Sequence, residues 1–140
     1  MRALVVGGAG FIGSHLCDVL LRQGIECVCV DNLSLGTKKN VEHLFSEEKF
    51  AFFELDASDE KSLEGVFKER DIDVVFHLAA NSDIQASAKK PEVEYRNTYS
   101  TTFSILSCMR RYGVKRLFFA STSRYMEINE TCFWMRIHPI

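Results

Sequence analysis

Several things this sequence has little of narrow its function before any motif is read. It carries no excess of one charge: 140 residues hold 17 basic and 19 acidic side chains, a formal net charge of -2. A phosphate-backbone partner calls for a basic field, so nucleic acid is not an expected partner. It has no C-x-x-C. The five cysteines, Cys17, Cys27, Cys29, Cys108 and Cys132, are odd in number and sit mostly inside apolar runs. They read as reduced core thiols, with neither a disulfide framework nor a zinc or other metal site expected. It has no long hydrophobic run either. The apolar stretch that opens at Met1 is broken by glycine from Gly7 on, too short for a signal peptide or a membrane span. A cytoplasmic protein without a membrane partner is the expectation. There is no repeat, no low-complexity stretch and no evident linker, and the length suits one packed core rather than two.

What is present alternates. Short apolar runs at Ala3–Val6, Cys27–Val30, Phe50–Phe53, Val74–Phe76 and Leu117–Ala120 lack polar alternation. That is how strands buried on both faces of a parallel sheet read. Helical spacings lie between them: Ile12, Leu16, Val19 and Leu20 before Gly24; Val41, Leu44 and Phe45 after a Thr37 cap; Leu63, Val66 and Phe67 after a Ser58 cap. A longer helix is expected from Pro91, with a Tyr95, Tyr99, Thr102, Leu106 and Met109 stripe, to a stop near Gly113. Strand and helix in alternation predict an α/β fold, with right-handed crossovers stacking about five parallel strands.

The chemistry-bearing motif is Gly7-Gly8-Ala9-Gly10-Phe11-Ile12-Gly13. It fits G-x-G-x-x-G through Gly8, Gly10 and Gly13, and G-x-x-G-x-x-G through Gly7, Gly10 and Gly13. Its position makes it specific, because it follows the first strand and opens the first helix. There, free backbone N–H groups and the positive helix end meet a pyrophosphate. A glycine-rich turn with no ligand is the plainer alternative. Asp31 ends the second strand, where a carboxylate accepts from ribose hydroxyls and repels a 2′-phosphate, so NAD is expected over NADP. Lys38 and Lys39 would soften that repulsion if their loop folded inward, and a simple turn-forming role before Asn32 is the alternative for Asp31.

With these residues the sequence resembles the NAD-dependent epimerase/dehydratase branch of the extended short-chain dehydrogenases, over Met1 to about Ser123. The resemblance rests on the glycine segment with Ser14-His15, Val30-Asp31-Asn32, Leu55-Asp56, and Val75-Phe76-His77-Leu78-Ala79-Ala80. Pro91, Asn97 with Thr101, and Gly113 through Thr122 extend it. It implies a Rossmann-type doubly wound sheet that binds NAD. Gly7, Gly10, Phe11, Ile12 and Gly13 would cradle the pyrophosphate, and Asp31 and Asn32 would hold the adenosine ribose. Asp56 and Ala57 would meet the adenine edge, and Leu78, Ala79 and Ala80 would line the cleft. Asn97 would hold backbone and water near the active site, unless it is an ordinary polar helix residue. His77 reads as a strand-end packing residue rather than an acid or base, since no carboxylate partner is evident.

The same resemblance implies a catalytic hydroxyl at the end of the fifth strand, Thr122, with Ser121 and Ser123 as neighbours that would also serve. It further implies a tyrosine and lysine four apart on the next helix, and here the sequence departs. No tyrosine in these 140 residues is followed four places later by lysine. The expected organisation is a partial NAD-binding domain over 1–123 and an aberrant or truncated tail over 124–140. The C-terminal substrate domain would be absent. The expected function is the NAD-binding N-terminal part of a nucleotide-sugar epimerase or dehydratase, catalytically incompetent alone. UDP-sugar 4-epimerisation is favoured because Ser121-Thr122-Ser123 lacks the Thr-Asp-Glu run of many 4,6-dehydratases. A non-enzymatic dinucleotide sensor or interaction module is the alternative, and a methyltransferase fits poorly because its cofactor has no pyrophosphate. The family forms homodimers by packing the helix after Pro91 into a four-helix bundle. This chain is therefore expected to leave an apolar patch, from Tyr95, Tyr99, Met109 and the Phe133-Trp134-Met135 tail, that invites self-association.

Overall fold

A computed structural model describes residues 1–80 and 91–121. Five strands form one parallel sheet: β1 (Arg2–Val6), β2 (Glu26–Asp31), β3 (Phe50–Glu54), β4 (Val74–His77) and β5 (Leu117–Phe119), in the order β3-β2-β1-β4-β5. All pairings are parallel, with Val5 opposite Cys29 on one side and Phe76 on the other. The strand order reverses between β1 and β4, which opens a crevice at the carboxyl ends of those strands. This is the α/β arrangement that the alternation predicts and the Rossmann-type doubly wound sheet that the resemblance implies.

The unbroken apolar runs have a direct cause. Along β1, Leu4 and Val6 enter a core shared with α2 (Glu60–Glu69), while Ala3 and Val5 enter a second core beneath α1 (Phe11–Arg22). Both faces are covered, so from Ala3 to Val6 no position of the strand is left for a polar side chain. The first core also takes Ile105, Cys108 and Met109 from α4 (Thr101–Arg111); the second takes Cys17 and Leu20 from α1. Cys17, Cys27, Cys29 and Cys108 are buried free thiols, and hydrogen bonding to Cys17, together with burial, pushes those of Cys27 and Cys29 up. The outer strand differs. Phe118 and Phe119 of β5 are exposed, although Phe118 stacks on Phe76 with ring centroids 4.9 Å apart.

Several local expectations need correction. Residues 38–44 form two short 3₁₀ turns, Lys38–Asn40 and Glu42–Leu44, in place of a capped helix. Thr37 makes no side-chain cap; its N–H donates to the Ala9 carbonyl, 3.1 Å away, which bends the segment over the glycine loop. At α2 the cap is Asp59, whose side chain accepts from the Lys61 N–H. Ser58 is unavailable because its hydroxyl and its N–H both donate to Asp56 Oδ1. The long helix is interrupted: an α-turn α3 (Pro91–Glu94) passes through a π-helical segment Tyr95–Ser100 into α4.

The expected stripe on that helical run faces mostly outward. Tyr95, Tyr99 and Leu106 are exposed together with Phe103, while Thr101, Ser104, Ile105, Cys108 and Met109 face the core. Helix α1 behaves the same way: Ile12 and Val19 are exposed, and Gly13, Ser14, Cys17 and Leu20 are buried. In both cases small side chains such as Gly13, Cys17, Ser104 and Cys108 let the helix lie close to the sheet, and several bulky ones point away. Among the described residues no helix is long and apolar enough to cross a membrane.

Candidate functional site

The crevice at the strand ends holds a cleft of about 510 Å³. One wall is the turn from β1 into α1. Gly7 takes a left-handed φ of +84°, and a Cβ there would lie 2.7 Å from the Ala79 nitrogen. A Cβ on Gly13 would collide with the Gly7 carbonyl oxygen. Both positions therefore require glycine, one for conformation and contact, the other for contact alone. Gly8 is different: it is buried against Cys29 Sγ and does not line the cleft. Of the two overlapping glycine patterns, the one through Gly7, Gly10 and Gly13 thus faces the cavity.

Helix α1 begins there without help. Gly10 at the cap position offers no side chain, and the first turn holds no acidic residue. The first N–H groups of a helix have no partner within it, and they carry the positive end of the helix dipole. A cradle of this kind, with no Cβ in the way and no carboxylate competing, fits a pyrophosphate.

Asp31 closes the opposite side. It is 8% exposed. Its Oδ2 accepts from the Ala9 N–H at 2.9 Å and its Oδ1 from the Leu33 N–H at 2.8 Å. The carboxylate thereby fixes both the glycine loop and the start of the following loop, and it lines the cleft with acceptor capacity to spare. Leu33 has φ +58°, uncommon for a side chain of this size, and its bond to Asp31 holds that conformation. Lys38 pairs with Glu54 at 2.6 Å instead of turning in towards Asp31. A ribose diol suits this end of the cleft, and a 2′-phosphate meets an uncompensated carboxylate.

At the end of β3, Asp56 is held below the usual carboxylate range. Burial opposes its ionisation, but the Ser58 N–H and hydroxyl and the Arg96 guanidinium, 2.8 Å from Oδ2, outweigh it. On β4, His77 is buried with its ring edge against Phe119. The Thr102 hydroxyl donates to the Thr98 carbonyl at 2.7 Å, so its oxygen accepts from His77 Nε2–H at 2.8 Å. His77 Nδ1 is buried without a partner. Protonating it would bury an unpaired donor and a charge, and burial lowers the imidazole pKa to about 4.

The residues singled out from the sequence fall as follows. Gly7, Gly10, Phe11, Ile12, Gly13, Asp31, Asn32, Asp56, Ala57, Leu78, Ala79, Ala80 and Asn97 all line this one cleft. Ser121 is exposed and does not line it. Thr122, Ser123 and the tail to Ile140 lie outside the described residues. Sequence reasoning missed Ser34, Leu35, Gly36 and Thr101, which also line the cavity. Gly36 carried a signal: a Cβ on it would lie 2.8 Å from the Ala9 carbonyl carbon, a second close backbone approach to the same loop. Among the described residues no group of histidine, cysteine and carboxylate side chains is arranged to hold a metal ion.

Comparison with known proteins bears on the same segment. The family model of the NAD dependent epimerase/dehydratase family matches residues 3–131. UDP-glucose 4-epimerase of Bacillus subtilis is 35% identical over 133 residues, 94% of this chain and 39% of the relative. A putative UDP-arabinose 4-epimerase of Arabidopsis thaliana is 39% identical, over 86% of this chain and 29% of its own. Among solved structures, the Thermus thermophilus UDP-glucose 4-epimerase in complex with NAD superposes with a TM-score of 0.80 at 37% identity. That match covers 88% of this chain and 38% of the other. The Stenotrophomonas maltophila UDP-glucose 4-epimerase, with NAD and formylated UDP-arabinopyranose bound, gives 0.85 at 32% identity, over 94% of this chain and 40% of the other. The chain spans two fifths or less of each of these proteins.

Proposed function

The chain belongs to the NAD-dependent epimerase/dehydratase family, and from that premise we propose that it is the NAD-binding N-terminal part of a UDP-sugar 4-epimerase. The observation that carries the reading is the cradle itself: Gly7, Gly10 and Gly13 at an uncapped helix end, with Asp31 opposite. In it, the N-terminal turn of α1 holds the pyrophosphate and Asp31 with Asn32 the adenosine ribose. Asp56 and Ala57 meet the adenine edge; Leu78, Ala79, Ala80 and Asn97 line the nicotinamide side. NAD would supply a reversible hydride acceptor for the sugar carbon at C4. Thr122, three residues beyond β5 in the sequence, is proposed to donate a hydrogen bond to the sugar oxygen. A cytoplasmic setting goes with this reading.

These 140 residues contain no Y-x-x-x-K. A tyrosine that moves the hydroxyl proton and a lysine that lowers its pKa act as one unit, and general acid-base groups typically contribute about 10² to 10⁴ in rate. The chain by itself is therefore proposed to bind NAD without turnover. Homodimerisation in the parent enzyme is proposed to cover the outer face of the π-helical segment and α4, where Tyr95, Tyr99 and Phe103 form a stacked row with centroids 5.3 and 6.5 Å apart. The test is to incubate the chain and NAD with UDP-, GDP- and dTDP-sugars and follow product by mass-resolved chromatography. No interconversion is expected. Turnover that disappears in Thr122→Ala would contradict the proposal.

A further inference from the structure

Besides Asp31 and the end of β2, a strap laid across the cradle holds its shape. Residues 32–40 leave the end of β2, pass over the glycine loop and meet it at one residue, Ala9. Ala9 is fully buried. Its N–H donates to Asp31 Oδ2, and its carbonyl accepts twice, from the Thr37 N–H at 3.1 Å and from Asn40 Nδ2 at 2.8 Å. The contact is tight, since a Cβ on Gly36 would sit 2.8 Å from the Ala9 carbonyl carbon. Neither Thr37 nor Asn40 lines the cleft. The carbonyl is therefore turned out of it.

That orientation has an electrostatic consequence. The Ala9–Gly10 peptide immediately precedes the helix end that is open to an anion. Rotated by half a turn, the same peptide would aim its carbonyl oxygen, a partial negative charge, at the space a phosphate must fill. Glycine-rich turns are permissive enough to make such a rotation cheap, with Gly8 and Gly10 on either side of Ala9. Two donors on one carbonyl oppose it, and Asn40 supplies the only one of the two that comes from a side chain.

We propose that Asn40 is a positioning residue for dinucleotide binding, its carboxamide holding the Ala9 carbonyl out of the phosphate site. Asn40 touches no ligand. It acts through the glycine loop, by setting beforehand a geometry that ligand binding would otherwise have to select. The inference rests on the cofactor reading above, because it concerns how the same cradle receives a pyrophosphate. It predicts an effect confined to ligands that bear phosphate at that position.

The experiment titrates the 140-residue chain and two variants with NAD and ADP by calorimetry, and with adenosine by saturation-transfer NMR. Asn40→Ala removes the donor without adding charge; Asn40→Asp replaces it with an acceptor of the same shape. Losing one hydrogen bond of ordinary strength corresponds to about a fivefold weaker Kd for NAD and ADP in Asn40→Ala. Asn40→Asp should be weaker still, and adenosine should bind all three proteins alike. A purely structural role would lower all ligands together, so equal losses for ADP and adenosine would overturn the proposal. Unchanged ADP affinity in both variants would overturn it too, while leaving the cofactor reading intact. A wild-type chain that binds neither NAD nor ADP would overturn both; where the wild type binds, weaker NAD binding in an Asp31→Ala variant titrated alongside upholds the cofactor reading whatever the Asn40 variants do.

Discussion

The strand-end cradle and the outer face of the helical run 91–111 are built on opposite principles. At the cradle, polar atoms answer one another: both Asp31 oxygens accept backbone N–H groups, the Ala9 carbonyl accepts twice, and Gly7 N–H donates to the Val30 carbonyl at 2.8 Å. On the outer face, Tyr95 is 62% exposed, Tyr99 59% and Phe103 57%, and these rings contact mainly each other. One region is fixed from within the chain. The other presents apolar area that a neighbouring surface would have to complete. Mutations should therefore act on different observables in the two regions, conformation and ligand affinity in the first, association in the second.

The sharpest way to break the first region is Gly7→Val. A branched side chain there meets both a left-handed φ and the Ala79 backbone. The expected cost is about 3 kcal/mol or more in stability, with no measurable NAD binding. Urea unfolding and calorimetry read the two effects. Wild-type behaviour would show that the loop is not held as described.

A smaller effect belongs to His77, behind the same cleft. Its folded pKa of about 4 lies below the unfolded value of 6.5. Between those values the unfolded chain binds more protons, so stability is full above 6.5 and falls as the pH drops towards 4. At pH 5 the loss is about 2 kcal/mol relative to neutral pH. His77→Gln should flatten that dependence in urea titrations at pH 5 and pH 7. An unchanged slope would mean that another group carries it.

The smallest effect on stability is expected on the outer face. Phe103→Glu should alter unfolding free energy by no more than about 0.5 kcal/mol, as exposed substitutions generally do. It should nevertheless abolish concentration-dependent light scattering. Scattering that persists in the variant would remove the contrast between the two regions.

The same contrast explains what was legible in the sequence. The inner strands β1, β2 and β4 were readable because burial on both faces leaves an uninterrupted apolar signature, as in Ala3–Val6 and Cys27–Val30, and the edge strands β3 and β5 carry the same kind of run although they are less buried. The cleft residues were readable because a pyrophosphate cradle needs glycine at fixed intervals after a strand and a carboxylate at the next strand end. Helix faces were legible only in part: Leu63, Val66 and Phe67 of α2 are buried as their spacing predicts, but α1 and α4 turn differently. Apolar periodicity assigned Ile12, Val19, Tyr99 and Leu106 inward, whereas helices that lie close to a sheet bury Gly13, Cys17, Ser104 and Cys108. The strap was misread for a related reason: Thr37 and Asn40 bond to Ala9, a partner 28 and 31 residues away that local spacing does not reveal. Thr122 lies outside the described residues, and its role rests on resemblance.

Paired calorimetric titrations of the chain with NAD and NADP test the cradle most directly. Saturable one-to-one NAD binding is predicted, with NADP at least about tenfold weaker because its 2′-phosphate meets Asp31. Asp31→Ala should weaken NAD and narrow that gap. Equal or tighter NADP binding, or NAD binding that Asp31→Ala leaves untouched, would contradict the assignment.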